Sequence, residues 1–499
     1  MSSREEKVIK KRQSISTVLF LALALGLGWA EGNSGQPAGS DPQSRTEPAP
    51  AIGPGTVSVG SDENPPISGL DQPSLEPKAA VRSFLVPGAS VSEAVDSNVS
   101  GSNGNAVING VTRALGSLTL QRLWSRYDLA LDYVGGIAYY SNRAINAAQI
   151  QAFDLDQRVQ WRTGQLAVRD SFSYLPEGQF GYGAFGGAGA LSGIGGGAGM
   201  AGNLGIFFGP GLGATLGQDP RITNRTIVDV TQGLSPRSSV TAAGSYGLVH
   251  FTDNTPTLVN GVLVSGGFID SRQVSAQAGY NYQVTRKDQL ALVYGYQRFT
   301  YPNSPGRSFD TNLINLLYGH RITGRMDFVI GGGPQWTNIS SVDPVTNKPV
   351  TSNQVNLSGR ALLRYRFPRT NVGLYYDHYN TSGSGFFAGA KSDVARLSAT
   401  HPLGRLWTST VDVGYTHNDR LAIALGPIPL SASSYGYIYA GGSVRRQFGR
   451  EFSAFLSYQF NYLNFDSSFC TNGTPCNRTG QRHVAIVGVD WHPHPIRLD

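Results

Sequence analysis

The stretch NQVNLSGRALLRYRF, residues 353–367, decides how the rest of the chain is read. In an extended chain successive side chains point to opposite sides. Val355, Leu357, Gly359, Ala361, Leu363, Tyr365 and Phe367 therefore fall on one face, and Asn356, Ser358, Arg360, Arg364 and Arg366 on the other. One face is apolar and the other carries three guanidinium groups. A helix would smear these residues around its circumference, so the pattern predicts a strand with one dry and one wet side.

Working outward, the same two-residue period recurs. Over 271–284, Val274, Ala276, Ala278, Tyr280, Tyr282 and Val284 stand opposite Gln273, Ser275, Gln277, Gly279, Asn281 and Gln283. Over 451–463, Phe452, Ala454, Leu456, Tyr458, Phe460 and Tyr462 stand opposite Ser453, Ser457, Gln459 and Asn461. A soluble sandwich also alternates, but its strands run to about 5–6 residues, whereas these segments are about twice that length. Their connections alternate as well. Tight turns at Arg162-Thr163-Gly164, Ser235-Pro236-Arg237, Arg286-Lys287-Asp288, Thr323-Gly324-Arg325, Pro368-Arg369-Thr370, Leu403-Gly404-Arg405 and Phe448-Gly449-Arg450 take turns with longer loops such as 253–270, 341–352, 419–433 and 465–480. Alternating strands of about ten residues, with short turns at one end and long loops at the other, describe a transmembrane β-barrel of the bacterial outer membrane.

Composition agrees. In 499 residues, charged side chains make up 15%, and Gly accounts for 63 positions, Tyr for 23, Phe for 22, Trp for 6 and Cys for 2. Such a chain is too poor in charge for a polar disordered protein or a coiled coil, and too poor in cysteine for a disulfide scaffold. The formal charge is +7, of which Arg4, Lys7, Lys10, Lys11 and Arg12 against Glu5 and Glu6 supply +3. What remains is too weak a bias to indicate a nucleic-acid partner.

The N-terminus reads as a secretory leader, residues 1–30: a basic stretch, an apolar run from Val18 to Leu27, and small residues ending at Ala30, where cleavage is expected. Residues 31–83 are rich in Pro, Gly and Ser and are expected to form a disordered periplasmic linker, too polar for a compact plug. The barrel is then expected over 84–492, with a short periplasmic tail at 493–499.

Seventeen strands can be traced between 113–123 and 481–491. Bacterial barrels carry an even number because both chain ends lie in the periplasm, so an opening strand is assigned to 88–99. The expectation is 18 strands, with 16 as the fallback if 113–123 stays periplasmic.

The opening segment Val91-Ser92-Glu93-Ala94-Val95-Asp96-Ser97-Asn98-Val99, followed by hairpins at Arg-bearing turns, resembles the β-barrel porin-like proteins of Gram-negative outer membranes, including groups linked to exosortase and polysaccharide systems. The resemblance is one of pattern over residues 84–492. It implies passive transport of small hydrophilic solutes, a homotrimer, and insertion by the outer-membrane barrel assembly machinery, with Trp491 standing where such barrels place a terminal aromatic residue. It also implies that the third outer loop narrows the pore. Here that loop falls in 178–218, which has no charged residue and is dense in Gly; Phe180, Tyr182, Phe185, Phe207 and Phe208 are its constriction candidates. A loop that stays outside the barrel is the alternative.

Charges on the wet face are the candidate pore lining: Arg158, Arg169, Arg360, Arg364 and Arg366 with Asp128, Asp132, Asp154, Asp156 and Asp490. Facing lipid at mid-membrane, Arg or Lys costs about 2–4 kcal/mol, so the alternation assigns these groups to the lumen. They could line a channel or simply pair across the wall. Tyr139, Tyr140, Trp161, Trp336, Trp407 and Trp491 sit near strand ends, as interfacial girdles require. Cys470 and Cys476, in the last outer loop, are spaced for a local disulfide in an oxidising compartment. The match to G-x-G-x-x-G at 181–186 lacks the helix and acidic residue of a dinucleotide site. No nucleophile elbow, metal-ligand spacing or catalytic constellation emerges, so neither an enzyme nor a cofactor is expected. Two functions stay open: a diffusion channel, or a surface barrel with a closed lumen acting in adhesion, polysaccharide binding or envelope assembly.

Overall fold

The computed structural model describes residues 83–99, 108–142, 147–175, 220–252, 257–259, 262–264, 268–304, 306–342, 348–383, 385, 387–421, 433–466 and 478–498. Eighteen long strands form its wall: β1 (Phe84–Asp96), β2 (Asn109–Leu123), β3 (Tyr127–Tyr140), β4 (Ala148–Trp161), β5 (Gly164–Leu175), β6 (Arg221–Ser235), β7 (Ser238–Phe251), β8 (Ser271–Gln283), β9 (Asp288–Thr300), β10 (Ser308–Thr323), β11 (Met326–Val342), β12 (Pro349–Arg366), β13 (Asn371–Thr381), β14 (Ala390–Pro402), β15 (Trp407–Arg420), β16 (Ser434–Phe448), β17 (Phe452–Phe465) and β18 (Thr479–Trp491). Each pairs antiparallel with the next. The ring closes where β1 pairs β18 from Ala89↔Trp491 to Asp96↔Val484. The protein is a closed, up-and-down, all-β barrel of 18 strands, as the parity argument requires. The opening strand is paired along its length on both sides, with Gly88↔Ser117 on β2 and Val91↔Val489 on β18, which removes the 16-stranded alternative.

Strand ends differ from the sequence expectation where pairing continues past the hydrophobic pattern. β1 starts at Phe84 because the short strand Ile496–Arg497 returns to pair with Phe84 and Leu85, so the C-terminal tail is tied to the wall. β11 and β12 are extended by a hairpin reaching Val342↔Pro349.

The outward face is apolar. Leu357 is 73% exposed, Val355 66%, Leu456 59% and Leu316 57%, values no water-soluble core would leave open. Trp161, Trp407 and Trp491 stand exposed at the turn end, while Tyr139 and Trp336 are exposed toward the loop end. Tyr140 corrects the expected girdle. Being adjacent to Tyr139 it points the other way, and it packs inside with Val111, Val134 and Ile150. At mid-height Asp170 carries a carboxylate on the outward face, satisfied by the Asn224 side-chain amide at 2.9 Å.

The inward face is less uniformly wet than the alternation suggests. Gln273, Gln297, Gln335 and Asn461 are inward and buried, but so are Val293, Leu317, Val329 and Leu362, which form one apolar cluster on β9–β12. On these strands both faces are apolar, so the period-2 contrast that marks the wall elsewhere is weak.

Candidate functional site in the barrel lumen

The alternation brings the predicted charges to the interior, and ladder register decides which of them meet. Arg158 on β4 donates through Nε and Nη2 to the Asp156 carboxylate at 3.2 and 3.0 Å. Arg169, opposite Asp156 on β5, reaches the Asp229 carboxylate on β6 at 2.8 Å. Arg360 Nε donates to Asp377 at 2.8 Å, Arg364 pairs with Asp327, and Arg445 pairs with Asp490 at 3.1 Å. Asp132 accepts a 2.7 Å hydrogen bond from Thr119, and Asp154 is buried on the same face. Asp128 shares that inward parity near the turn end, opposite Arg158 on the β3–β4 ladder. Arg366 ends β12, where it pairs in register with Asn371.

Sequence reasoning missed the partners. Asp229, Asp327 and Asp377 complete the pairs above; Arg396 with Asp412 and Arg482 with Asp96 are further pairs outside the predicted set. Arg396 Nε lies 3.1 Å from the Asp412 carboxylate, and Arg482 Nε lies 2.9 and 2.8 Å from the two Asp96 oxygens. All of them sit at inward parity, so the signal was present; what was missing was the register that sets Asp377 opposite Arg360. The consequence is electrostatic. Many of these charges stand in opposite-charge pairs, which shortens the reach of their field, while Asp132 and Asp154 face each other across β3 and β4 as an acidic patch.

A second constituent of the lumen is the connection between β13 and β14. Residues 379–383 are buried throughout, as are Gly385, Phe387 and Gly389. The Asn380 amide donates to Thr337 Oγ1 at 2.6 Å on the inner face of β11. Tyr301 donates its hydroxyl to the Ser382 carbonyl at 3.2 Å, Ile269 N–H bonds the Gly385 carbonyl at 2.7 Å, and Leu421 N–H bonds the Gly389 carbonyl at 3.0 Å. Phe387 packs at a tilt against Tyr435, ring centroids 5.3 Å apart, in a cluster with Tyr437, Tyr439, Leu463 and Phe465 on β16 and β17. Gly383, Gly385 and Gly389 have φ of 85°, 85° and 96°, the left-handed conformation that permits this compact turn. A Cβ on Gly389 would stand 2.7 Å from a Phe309 ring carbon. Residues 382, 383, 385 and 387–389 are therefore folded into the barrel and anchored to several other parts of it.

The Gly-rich segment and its candidates Phe180, Tyr182, Phe185, Phe207 and Phe208 lie outside the described residues, as do Cys470 and Cys476. Among the described residues no cluster of three or more His, Cys, Asp or Glu is arranged to hold a metal ion.

No protein-family model matches the chain, and no curated protein matches it in sequence. Among solved structures, Pseudomonas aeruginosa OpdQ is similar at 10% identity over 83% of this chain and 98% of that one, with a TM-score of 0.39. OccK2 (OpdF) of the same organism, solved in complex with glucuronate, is similar at 10% identity over 82% and 98%, with a TM-score of 0.40. The E. coli ferric-catecholate import receptor Fiu is similar at 9% identity over 81% of each chain, with a TM-score of 0.37. None of these distant likenesses bears on solute or activity, which rest on the geometry above.

Proposed function

We propose that this chain is a porin-like channel of the bacterial outer membrane, passing small hydrophilic solutes by passive diffusion. The observation that supports it most is the sidedness of a closed wall: exposed leucine, valine and aromatic side chains outside, and ion pairs with amide and hydroxyl groups inside. A barrel of this circumference leaves an aqueous passage unless something fills it. Residues 382, 383, 385 and 387–389 narrow that passage, and the opposite-charge pairs moderate its preference for either sign of ion. The proposal includes no catalytic step and no cofactor. It takes residues 1–30 as a cleaved leader, 31–83 as a periplasmic linker, and the barrel assembly machinery and a homotrimer as partners. Cys470 and Cys476 form a local disulfide in this reading, checked by thiol alkylation with and without reductant.

The test is ionic conductance of the refolded protein in a planar bilayer. Steady steps are expected, with a reversal potential near zero across a salt gradient. Deleting 382–389 is expected to enlarge the steps, and deleting 178–218 does so only where the Gly-rich loop also enters the lumen. The inward docking of 382–389, together with Asp96 and Arg482 at 0% exposure, favours a second reading: a surface barrel with a closed lumen. Silence from verified folded barrels, persisting after deletion of 382–389, would select it.

A further inference from the structure

The wall is paired around its whole circumference near the turns, but one ladder stops early. β12 and β13 pair only from Gly359↔His378 to Arg366↔Asn371. Above Gly359, residues 349–358 of β12 pair with β11 alone among the described residues, while β13 continues to Thr381 alongside β14. The two strands part because the end of β13 turns inward, where Asn380 bonds Thr337.

The height of this parting matters. At about 3.3 Å per residue and a tilt of about 40°, Gly359 stands about 18 Å above Arg366, within an apolar band about 25 Å tall. Val355, which pairs with the exposed Trp336, marks the upper rim. Between these levels no described residue pairs with the outer edge of β12, whose backbone N–H and C=O groups lie at the depth of the outer leaflet. Lipid chains cannot satisfy such groups, so the edge must meet water or a polar ligand group.

A cavity meets it from inside. Leu313, Leu317 and Val293 line its far wall, and Ser358, Gly359 and His378 belong to the two lips. Gly359 and His378 are the last pair of the β12–β13 ladder, so the cavity borders the wall at the level where the two strands begin to part. Nothing lies within 4 Å of where a Gly359 Cβ would be, and Leu357, next along the outward face, is 73% exposed. The fixed charges nearby are matched: Arg360 with Asp377 at 2.8 Å and His378 with Asp393 at 2.6 Å. Ser358 donates to Asn315 at 2.6 Å, which places neutral hydrogen-bonding groups beside the apolar wall.

We propose that the parting of β12 and β13 is a lateral port through which a single-chain amphiphile with an uncharged, hydrogen-bonding head moves between the lumen and the outer leaflet. The head meets Ser358, Asn315 and the β12 edge, and the chain lies against Leu313 and Leu317 and leaves past Leu357. This is a route for a class of molecule that the aqueous channel does not serve.

The experiment uses a monoacylglycerol carrying a photoreactive diazirine near its chain end, with the full-length protein in phosphatidylcholine vesicles. Labelling is expected at Leu313, Leu317 or Leu357, and Gly359→Trp, which fills the open lip, is expected to reduce it to background while ion conductance persists. Labelling spread evenly over outward residues such as Leu292 and Val411, or cavity labelling indifferent to Gly359→Trp, would overturn the proposal. A second measurement needs no variant. Alternate amides over 351–357, those not bonded to β11, are expected to exchange rapidly with solvent deuterons; uniform protection would mean the edge is covered and the port absent. Silent bilayers with intact labelling would overturn the diffusion channel and leave the port standing.

Discussion

Arg482 and Asp96 show what one inward-facing pair does for the wall. Both side chains are 0% exposed, and the pair joins the last strand to the first. Arg482→Ala would leave a buried carboxylate without its partner, a loss of about 3–5 kcal/mol, read as a lower urea midpoint for the heat-modifiable folded band. The half-exposed pair of Arg298 with Asp310, 3.6 Å apart, is expected to contribute less than about 1 kcal/mol, so Arg298→Ala serves as the control. His492 makes the opposite kind of contribution. Its ring lies against Gly88, where an added Cβ would stand 2.6 Å from Nδ1, and its N–H bonds the Glu451 carbonyl at 2.7 Å. Burial, and then the Arg445 charge, push its pKa from 6.5 down to about 4. The folded state thus holds the imidazole neutral where the unfolded chain would protonate it. The stability His492 confers is complete above pH 6.5 and is lost as pH falls toward 4. His492→Phe is expected to flatten that part of the stability profile, seen as a smaller drop in urea midpoint between pH 7 and 4 than in the unsubstituted protein. The inward parity of Arg360 and Asp490 could be read from sequence, but their partners could not, since Asp377 and Arg445 meet them only through a register set across the ladder.

Strands were legible because each is a local statement. A row such as Val274, Ala276, Ala278, Tyr280 and Tyr282 opposite glutamines and serines needs no knowledge of the fold to define its two faces. The connections obey longer-range rules. Segment 178–218 attracted attention by composition, whereas 382–389, a short run with the same enrichment in Gly, is the connection whose docking in the lumen the structure describes. Its inward course depends on contacts with Tyr301, Ile269, Leu421 and Tyr435, which come from four other parts of the chain. Gly389→Ala is expected to dislodge it, because the new methyl group would meet the Phe309 ring and a φ of 96° disfavours any side chain. The wall should stay folded, as judged by its heat-modifiable gel band, while single-channel steps grow; unchanged steps would place the loop outside the conducting path. The inner apolar cluster of Val293, Leu317, Val329 and Leu362 escaped the pattern for a different reason, since strands apolar on both faces give alternation little contrast.

At the scale of the whole molecule, closure is the property on which the others depend. A barrel has no free edges only if every strand is present, and in lipid each unpaired backbone group costs several kcal/mol. Removing residues 84–96 would therefore expose the edges of β2 and β18 together, and such a chain is expected to show no heat-modifiable band and to remain protease-sensitive in vesicles. The even strand count, unlike the pairing of individual charges, follows from a global constraint on where both chain ends lie, and that constraint is legible in the sequence.

The seam between β1 and β18 also has a temporal meaning. Its side-chain pair of Arg482 and Asp96 joins residues 386 positions apart, and the short pairing of Phe84 and Leu85 with Ile496 and Arg497 belongs to the same closure, whereas every other ladder of the wall joins strands that neighbour each other in the wall order. Hairpins can form early and stack in order, but the seam must wait for the final strand, and loop-closure entropy makes it the slowest contact to find. Until then the nascent sheet is an open ribbon with two adhesive borders, and the rate at which it becomes a cylinder is the rate at which its two ends meet.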